Sequence, residues 1–284
     1  VTILRTITAN ELKDAVAGLF LDANRNIGRD VTDKLRSQCQ IEASPVGRTI
    51  LNQLLDNYEI AAEDQIPTCQ DTGMAVLFVE MGQDVHIEGG NYEEALNAGV
   101  REAYEKGYFR KSVVGEPLFD RVNTKDNTPA VIHTRIVPGN KVHILATAKG
   151  FGSENMSALK MLVPADGLDG VVQFVLDTVK IAGPNPCPPI VLGIGIGGTF
   201  EHAAIMAKKA TARSLTEDHP DPRYAALEKD LLEKINALGI GPGGTGGTTT
   251  ALKVNVDYAP THIAGLPVAV NICCHAARHK AVTL

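Results

Sequence analysis

The chain lacks any apolar run approaching the roughly 20 residues that cross a bilayer. Its first ten residues lack the basic-then-apolar order of a secretory leader. A basic excess is missing too: 27 Lys and Arg stand against 33 Asp and Glu, a formal net charge of −6. That balance argues against the basic face used to bind nucleic acid or an acidic membrane, so an anionic ligand must meet positive charge locally. No Cys-x-x-Cys pair occurs, which removes support for zinc-ribbon and thioredoxin-like arrangements. Five cysteines in 284 residues are too few, and odd in number, for a disulfide scaffold, so a reducing cytoplasm is the expected compartment. The sequence starts at Val1, consistent with an initiator methionine removed or left out.

What is present suffices for a sizeable core, since 44% of residues are hydrophobic. Apolar residues recur at helical spacing at Leu12, Val16, Leu19 and Phe20, and again at Ile50, Leu51, Leu54 and Leu55. A helix is expected over Tyr92–Lys106, with Asn91 as N-cap and Gly107 as its stop. Strands are expected at Ala75–Val79, Pro189–Ile196, Thr249–Val256 and Leu266–Ile272. Ala130–Val137 and Lys141–Ala148 alternate around Pro138-Gly139 and read as a hairpin. Helices are also expected after Gly197-Gly198-Thr199, ending near Arg213, and over about Arg223–Leu238. These elements define an α/β fold, a mixed β-sheet flanked by helices with a helical N-terminal third. No long polar linker interrupts them, so one domain over 1–284 is expected, the helical part of about 1–66 packing on the rest.

Three segments are rich in glycine: Gly150–Asn155, Gly193–Gly198 and Gly239–Gly247. None carries the Gly-Lys-Ser/Thr of a P-loop. Gly193-x-Gly195-x-x-Gly198 fits the dinucleotide fingerprint between a strand and a helix, although no earlier strand–helix pattern supports a nucleotide-binding half. Tight turns with close helix–sheet contact, or amides that line a cluster or hold a carboxylate, remain the other readings.

Cysteine placement carries more information. Cys69 lies in Pro67-Thr68-Cys69-Gln70-Asp71-Thr72-Gly73, Cys187 in Asn185-Pro186-Cys187-Pro188-Pro189, and Cys274 in Asn271-Ile272-Cys273-Cys274-His275. Each occupies a Pro- or Gly-marked loop or the end of an apolar run. Three thiolates meeting from such loops can hold three irons of a four-iron cluster and leave the fourth open. Asp71, two residues from the first thiol, supplies an acid. Spacing alone does not gather the three, and Asp71, Arg110 and His262 could equally be turn or loop residues.

Together with Lys149–Asn155, Gly239–Thr250 and Thr261–His279, these motifs resemble the α-subunit, or N-terminal domain, of the iron–sulfur class I fumarate hydratases and the related L-tartrate dehydratases. The resemblance covers essentially the whole chain; Cys-Gln-Asp-Thr-Gly and Cys-His-Ala-Ala-Arg-His are its specific parts. It implies one [4Fe-4S] cluster on Cys69, Cys187 and Cys274, with Cys274 preferred over Cys273 and Cys39 left as a buried small residue. It implies a catalytic acid at Asp71 and substrate contacts at Gln70, Arg110, Gly152 and His262. Phe151 departs from the consecutive glycines of many relatives, which puts a close backbone approach there in question. The sequence given stops at Leu284, where single-chain relatives continue into a second domain with further cations and the base. The resemblance therefore implies a separately encoded β-subunit and a further symmetric pairing of the heterodimer. The implied reaction is reversible hydration of fumarate to malate; the alternatives are tartrate dehydration to oxaloacetate and a non-catalytic cluster-binding subunit.

Overall fold

The computed structural model describes residues 4–284. Its first elements are β1 (Arg5–Thr8), α1 (Ala9–Arg25), α2 (Arg29–Ile41), α3 (Pro45–Glu63), β2 (Met74–Gly82), β3 (Val85–Glu88) and α4 (Tyr92–Lys106). Then follow β4 (Val131–Val137), β5 (Val142–Lys149), α5 (Phe151–Glu154), β6 (Ala158–Leu162) and α6 (Gly167–Ala182). The chain continues through β7 (Ile190–Gly197), α7 (Phe200–Ala210), α8 (Pro222–Asn236), β8 (Ala251–Ala259), β9 (Leu266–Cys273) and β10 (His279–Thr283). Mixed sheets and flanking helices match the expected class, and α1, α2 and α3 form the helical N-terminal third. Two compact units result, each discontinuous in sequence: one takes the residues up to Ile27, Tyr58–Gly150 and Arg278–Leu284, the other Gly28–Asn57 and Phe151–Ala277.

In the first unit, α1 starts at a capping box: the Thr8 hydroxyl accepts the Glu11 amide at 3.1 Å, and the Glu11 carboxylate accepts the Thr8 amide at 2.7 Å. Leu12, Val16 and Phe20 of α1 then meet Leu96, Val100 and Tyr104 of α4 over Leu77, Val79 and Ile144 of the sheet. As expected, Asn91 caps α4 through the Glu94 amide, and Gly107 ends it. The sheet order is β10-β5-β2-β4.

The expected hairpin does not form. Both of its strands exist, but β2 lies between them, parallel to β4 (Val76 opposite Val131) and antiparallel to β5 (Ala75 opposite Ala148). The Pro138-Gly139 connection therefore spans two strand spacings, about 10 Å. It closes over the end of β2, where the Gly82 and Asp84 amides donate to the Lys141 and Gly139 carbonyls at 2.8 and 3.0 Å. Alternation marked the strands correctly, but it is a local signal and does not name the neighbour.

In the second unit the sheet order is β6-β9-β7-β8, with β7 parallel to β8 and antiparallel to β9. Ile190, Leu192 and Ile194 of β7 join Val175 and Val179 of α6 and Leu231 and Ile235 of α8 in one core. Gly193 and Gly195 serve α7 instead. A Cβ at Gly193 would lie 1.9 Å from the Ala207 carbonyl oxygen, and one at Gly195 would lie 2.1 Å from that of Ala203. These two fingerprint glycines sit inside a paired strand, where they admit a helix backbone rather than a phosphate. Gly193→Ala or Gly195→Ala must push α7 off the sheet and is expected to destabilise the chain by about 1–3 kcal/mol, typical of overpacking. Urea unfolding of each variant against the parent protein measures this.

Candidate functional site

In the first unit the Cys69-Gln70-Asp71 loop enters β2 and is tied down at almost every step. The Thr68 amide donates to the Asn24 carbonyl of α1 at 2.9 Å. The Cys69 thiol lies 3.3 Å from the Gln70 side-chain oxygen. Asp71 turns back on itself, its carboxylate accepting the Gly73 amide at 2.9 Å, while its carbonyl accepts the Arg278 guanidinium. Arg278, 3% exposed, also donates to the Asn24 side chain at 3.1 Å. Gly73 has φ 77, and a Cβ there would lie 2.7 Å from the Ala148 backbone of β5, so this turn requires glycine.

The same loop is fixed to the segment that carries Arg110. The Thr72 hydroxyl donates to the Arg110 carbonyl at 2.7 Å. Tyr104, fully buried on α4, shares its hydroxyl proton between the carbonyls of Thr72 (2.6 Å) and Gly73 (2.9 Å). Burial pushes this phenol well above its ordinary pKa, which keeps it a donor. Asn127 completes the link, donating to the Gly73 carbonyl at 3.1 Å and accepting the Ser112 amide at 2.8 Å. The structure thus brings Cys69, Gln70, Asp71 and Arg110 onto one braced pair of loops, with Gln70 and Arg110 exposed. Gly150 joins them: a Cβ there would lie 3.2 Å from both the Asp71 carboxylate and the Arg278 guanidinium.

Asn24, Tyr104, Asn127 and Arg278 were not read as site residues from sequence. Tyr104 was legible only as a position inside the expected Tyr92–Lys106 helix, and Arg278 only as a member of the specific C-terminal run.

In the second unit, strand register places the remaining candidates. Val191 of β7 faces Cys273 of β9, and Ile190 faces Ala251 of β8. The start of β7 and the end of β9 therefore share one end of the sheet, which puts Cys187 and Cys274 at that end. Cys273 is held in the ladder and 6% exposed, whereas Cys274 lies beyond it, half-buried, with its sulfur 3.9 Å from the Ala276 carbonyl oxygen. Cys187 is exposed and has φ 55, a left-handed conformation that costs a non-glycine residue about 1–2 kcal/mol. Gly152, on α5 just before β6, sits at this end as well; the atom nearest its missing Cβ is the Asn185 carbonyl oxygen at 3.7 Å. Phe151 is 46% exposed.

His262 does not join Cys187 and Cys274. It is exposed in the connection from β8 to β9, past Ala259, which pairs with Gly197 at the other end of β7. Seven residue steps at about 3.3 Å put that end about 23 Å away. Cys39 lies on α2 and is half-buried rather than buried; what burial it has raises its thiol pKa.

All five cysteines are thiols. Among the described residues, no three His, Cys, Asp or Glu side chains form a group that could hold a single metal ion. Cysteine thiols in loops or just past strand ends are the soft donors that iron–sulfur clusters use.

The profile of the fumarate hydratase (Fumerase) family matches residues 13–283. A Methanocaldococcus jannaschii protein, provisionally named L(+)-tartrate dehydratase subunit alpha, is 43% identical over 273 residues, 94% of this chain and 95% of its own length. The L(+)-tartrate dehydratase subunit alpha of Escherichia coli strain K12 is 34% identical, covering 95% of this chain and 89% of its own length. These findings place the chain among the hydro-lyases. It belongs to the fumarate hydratase family.

One flank of the Arg110 segment titrates in an accessible range. Burial raises the Asp126 carboxyl, but the Thr128 amide, the Arg101 guanidinium at 3.0 Å and the Thr128 and Thr124 hydroxyls outweigh it and hold the pKa down to about 2. The folded value lies below the roughly 3.9 of an unfolded Asp. Its contribution to stability is therefore full above about pH 4 and lost as pH falls toward 2. Melting temperature should decline across that window, less steeply in Asp126→Asn, as thermal melts at a series of pH values will read.

Proposed function

We propose that this chain is the cluster-bearing α-subunit of a hydro-lyase acting on a four-carbon dicarboxylate, its two units serving as one catalytic α-domain. The observation that carries this reading is the bond from Thr72 to Arg110, which holds a thiol, an acid and a guanidinium-bearing segment in one arrangement. Cys69, Cys187 and Cys274 are the proposed ligands of a [4Fe-4S] cluster. When bound, its iron without a protein ligand supplies Lewis-acid polarisation of the carbon–oxygen bond.

The chain's own residues do the rest. Arg110 forks onto one substrate carboxylate with two parallel hydrogen bonds. The Gln70 amide orients the substrate beside it, and Gly152 lets the backbone come close to a carboxylate oxygen. Asp71, its loop fixed by Arg278 and Tyr104, exchanges a proton with the hydroxyl that leaves or joins the substrate. His262, at the far end of its sheet, is assigned no contact with substrate bound by the same chain. The base that removes the α-proton is assigned to a separately encoded β-subunit, and the heterodimer is proposed to pair further. A reducing cytoplasm suits the five thiols.

Hydration of fumarate to malate is the first reading, in keeping with the family. Dehydration of L-tartrate to oxaloacetate is the second, favoured by the names of the relatives. Initial rates with fumarate, malate and both tartrate enantiomers, on anaerobically prepared α–β complex, decide between them. Asp71→Asn and Arg110→Ala should each lower kcat/KM by at least about a hundredfold, or about 2.7 kcal/mol of transition-state stabilisation. Cluster absorbance should be unchanged in both. Unaltered kinetics in Asp71→Asn would reduce that residue to a turn former.

Dependence on the partner is tested by titrating the β-subunit into this chain. The rate should climb to a plateau near one partner per chain, and equal turnover by the chain alone would remove the need for a second subunit. A Cys187→Ser chain that keeps its cluster through the same preparation would remove Cys187 from the ligand set.

A further inference from the structure

The turn that carries Cys187 is braced from a distant part of the sequence. Glu42, at the end of α2, is 1% exposed, yet its carboxylate is fully engaged. It accepts the Ser44 amide at 2.8 Å, the Thr248 amide at 2.9 and 3.0 Å, and the Thr249 amide at 2.7 Å. Burial raises its pKa, but these amides and the Thr249 hydroxyl outweigh it and leave the group below the ordinary glutamate value. Gly247 passes so close that a Cβ there would lie 2.5 Å from the carboxylate. The third glycine-rich segment is thus an anion-binding loop whose anion is this chain's own side chain.

The other edge of that loop grips the cysteine turn on both sides. The Gly243 amide donates to the Pro188 carbonyl at 2.8 Å, immediately after Cys187. At Gly244 a Cβ would lie 2.3 Å from the Pro184 side chain, three residues before it. Between these two holds the Cys187 backbone keeps its left-handed φ of 55. An isolated turn would relax toward the ordinary regions for an L-residue.

We propose that Glu42 is a positioning residue for Cys187: its carboxylate shapes the Gly241–Thr250 loop, and the loop's contacts at Pro184 and Pro188 hold the thiol in its left-handed turn. The mechanical link is a property of this unit alone. Its consequence for catalysis rests on the reading of Cys187 as a cluster ligand. Glu42→Gln keeps the size of the side chain but replaces one of its two acceptor oxygens with an NH2 group set against amide donors, so the loop loses half of the acceptor pair that organises it.

The test alkylates the full-length, cluster-free chain with N-ethylmaleimide under anaerobic conditions and maps each cysteine by peptide mass spectrometry, circular dichroism confirming a folded chain. In Glu42→Gln, the Cys187 rate should shift by at least about threefold, since relaxation of the left-handed residue changes the groups around an already exposed thiol. Cys69 and Cys274 should change by less than about twofold. An unchanged Cys187, or all three cysteines accelerating together, overturns the proposal; the second pattern marks general loosening. If Glu42→Gln does not fold, Gly244→Ala displaces Pro184 without touching the carboxylate and must shift Cys187 reactivity in the same selective way. No change in that variant also overturns the link. After cluster reconstitution, faster bleaching by a chelator in the same variants carries the link through to the cluster. Selective alkylation with unchanged bleaching upholds the link and counts instead against Cys187 as a ligand.

Discussion

A single buried hydroxyl, that of Tyr104, holds the first unit's reactive loops in place. The carbonyls of Thr72 and Gly73 point into protein where water cannot serve them, and an unsatisfied buried acceptor costs about 1–3 kcal/mol. Tyr104 answers both from α4, and its ring packs edge-on against Phe109 at 5.5 Å. With Arg278 on the Asp71 carbonyl and Thr72 on that of Arg110, it fixes where β2 begins, how Asp71 is presented and where the chain lies as it leaves α4 toward Arg110. The core formed by α1 and α4 is the support under this bond: displacing α4 by one ångström would displace the donor from both acceptors.

The second unit solves a similar problem by subtraction. Side chains are absent at Gly193 and Gly195, so α7 settles on β7 with its Ala203 and Ala207 carbonyls against the strand. On the opposite face, branched residues of the same strand meet α6 and α8. The alternation of glycine with isoleucine along β7 thus encodes two faces of different depth. The glycines near the site work differently. Those at Gly244 and Gly247 permit backbone to lie against Pro184 and the Glu42 carboxylate, so similar-looking runs in the sequence meet distinct physical demands.

Much of this was legible in the sequence, where it depended on neighbours in the chain. The stripe of Leu12, Val16 and Phe20, the Asn91 cap and the Gly107 stop each describe one helix and came through unchanged. The hairpin misled because period and turn chemistry describe a segment, whereas its partner strand is set at long range; of the readings open for Gly193–Gly198, close helix–sheet contact is the one that holds at Gly193 and Gly195. Arg110 and Asp71 were named from motifs, but the hydrogen bonds that fix their loops join residues 31 to 207 positions apart, the longest being Arg278 with Asp71, and no local pattern announces them. His262 shows the converse: a motif position says nothing about which end of a sheet it occupies.

The insertion of β10 beside β5 has a consequence for how the polypeptide matures. His279–Thr283 supplies an edge of the first unit's sheet, and Arg278 clasps Asn24 and the Asp71 carbonyl. Every residue of Phe151–Ala277 in the second unit is synthesised before these are. A nascent chain therefore carries α1, β2 and the Cys69 loop without their closing strand and guanidinium until translation has passed residue 278. Contacts this distant in sequence form slowly and leave apolar strand edges open to other chains meanwhile. The last few residues described act as a latch on parts of the first unit made much earlier, so the loop bearing Asp71 acquires this support only once residue 278 has been added.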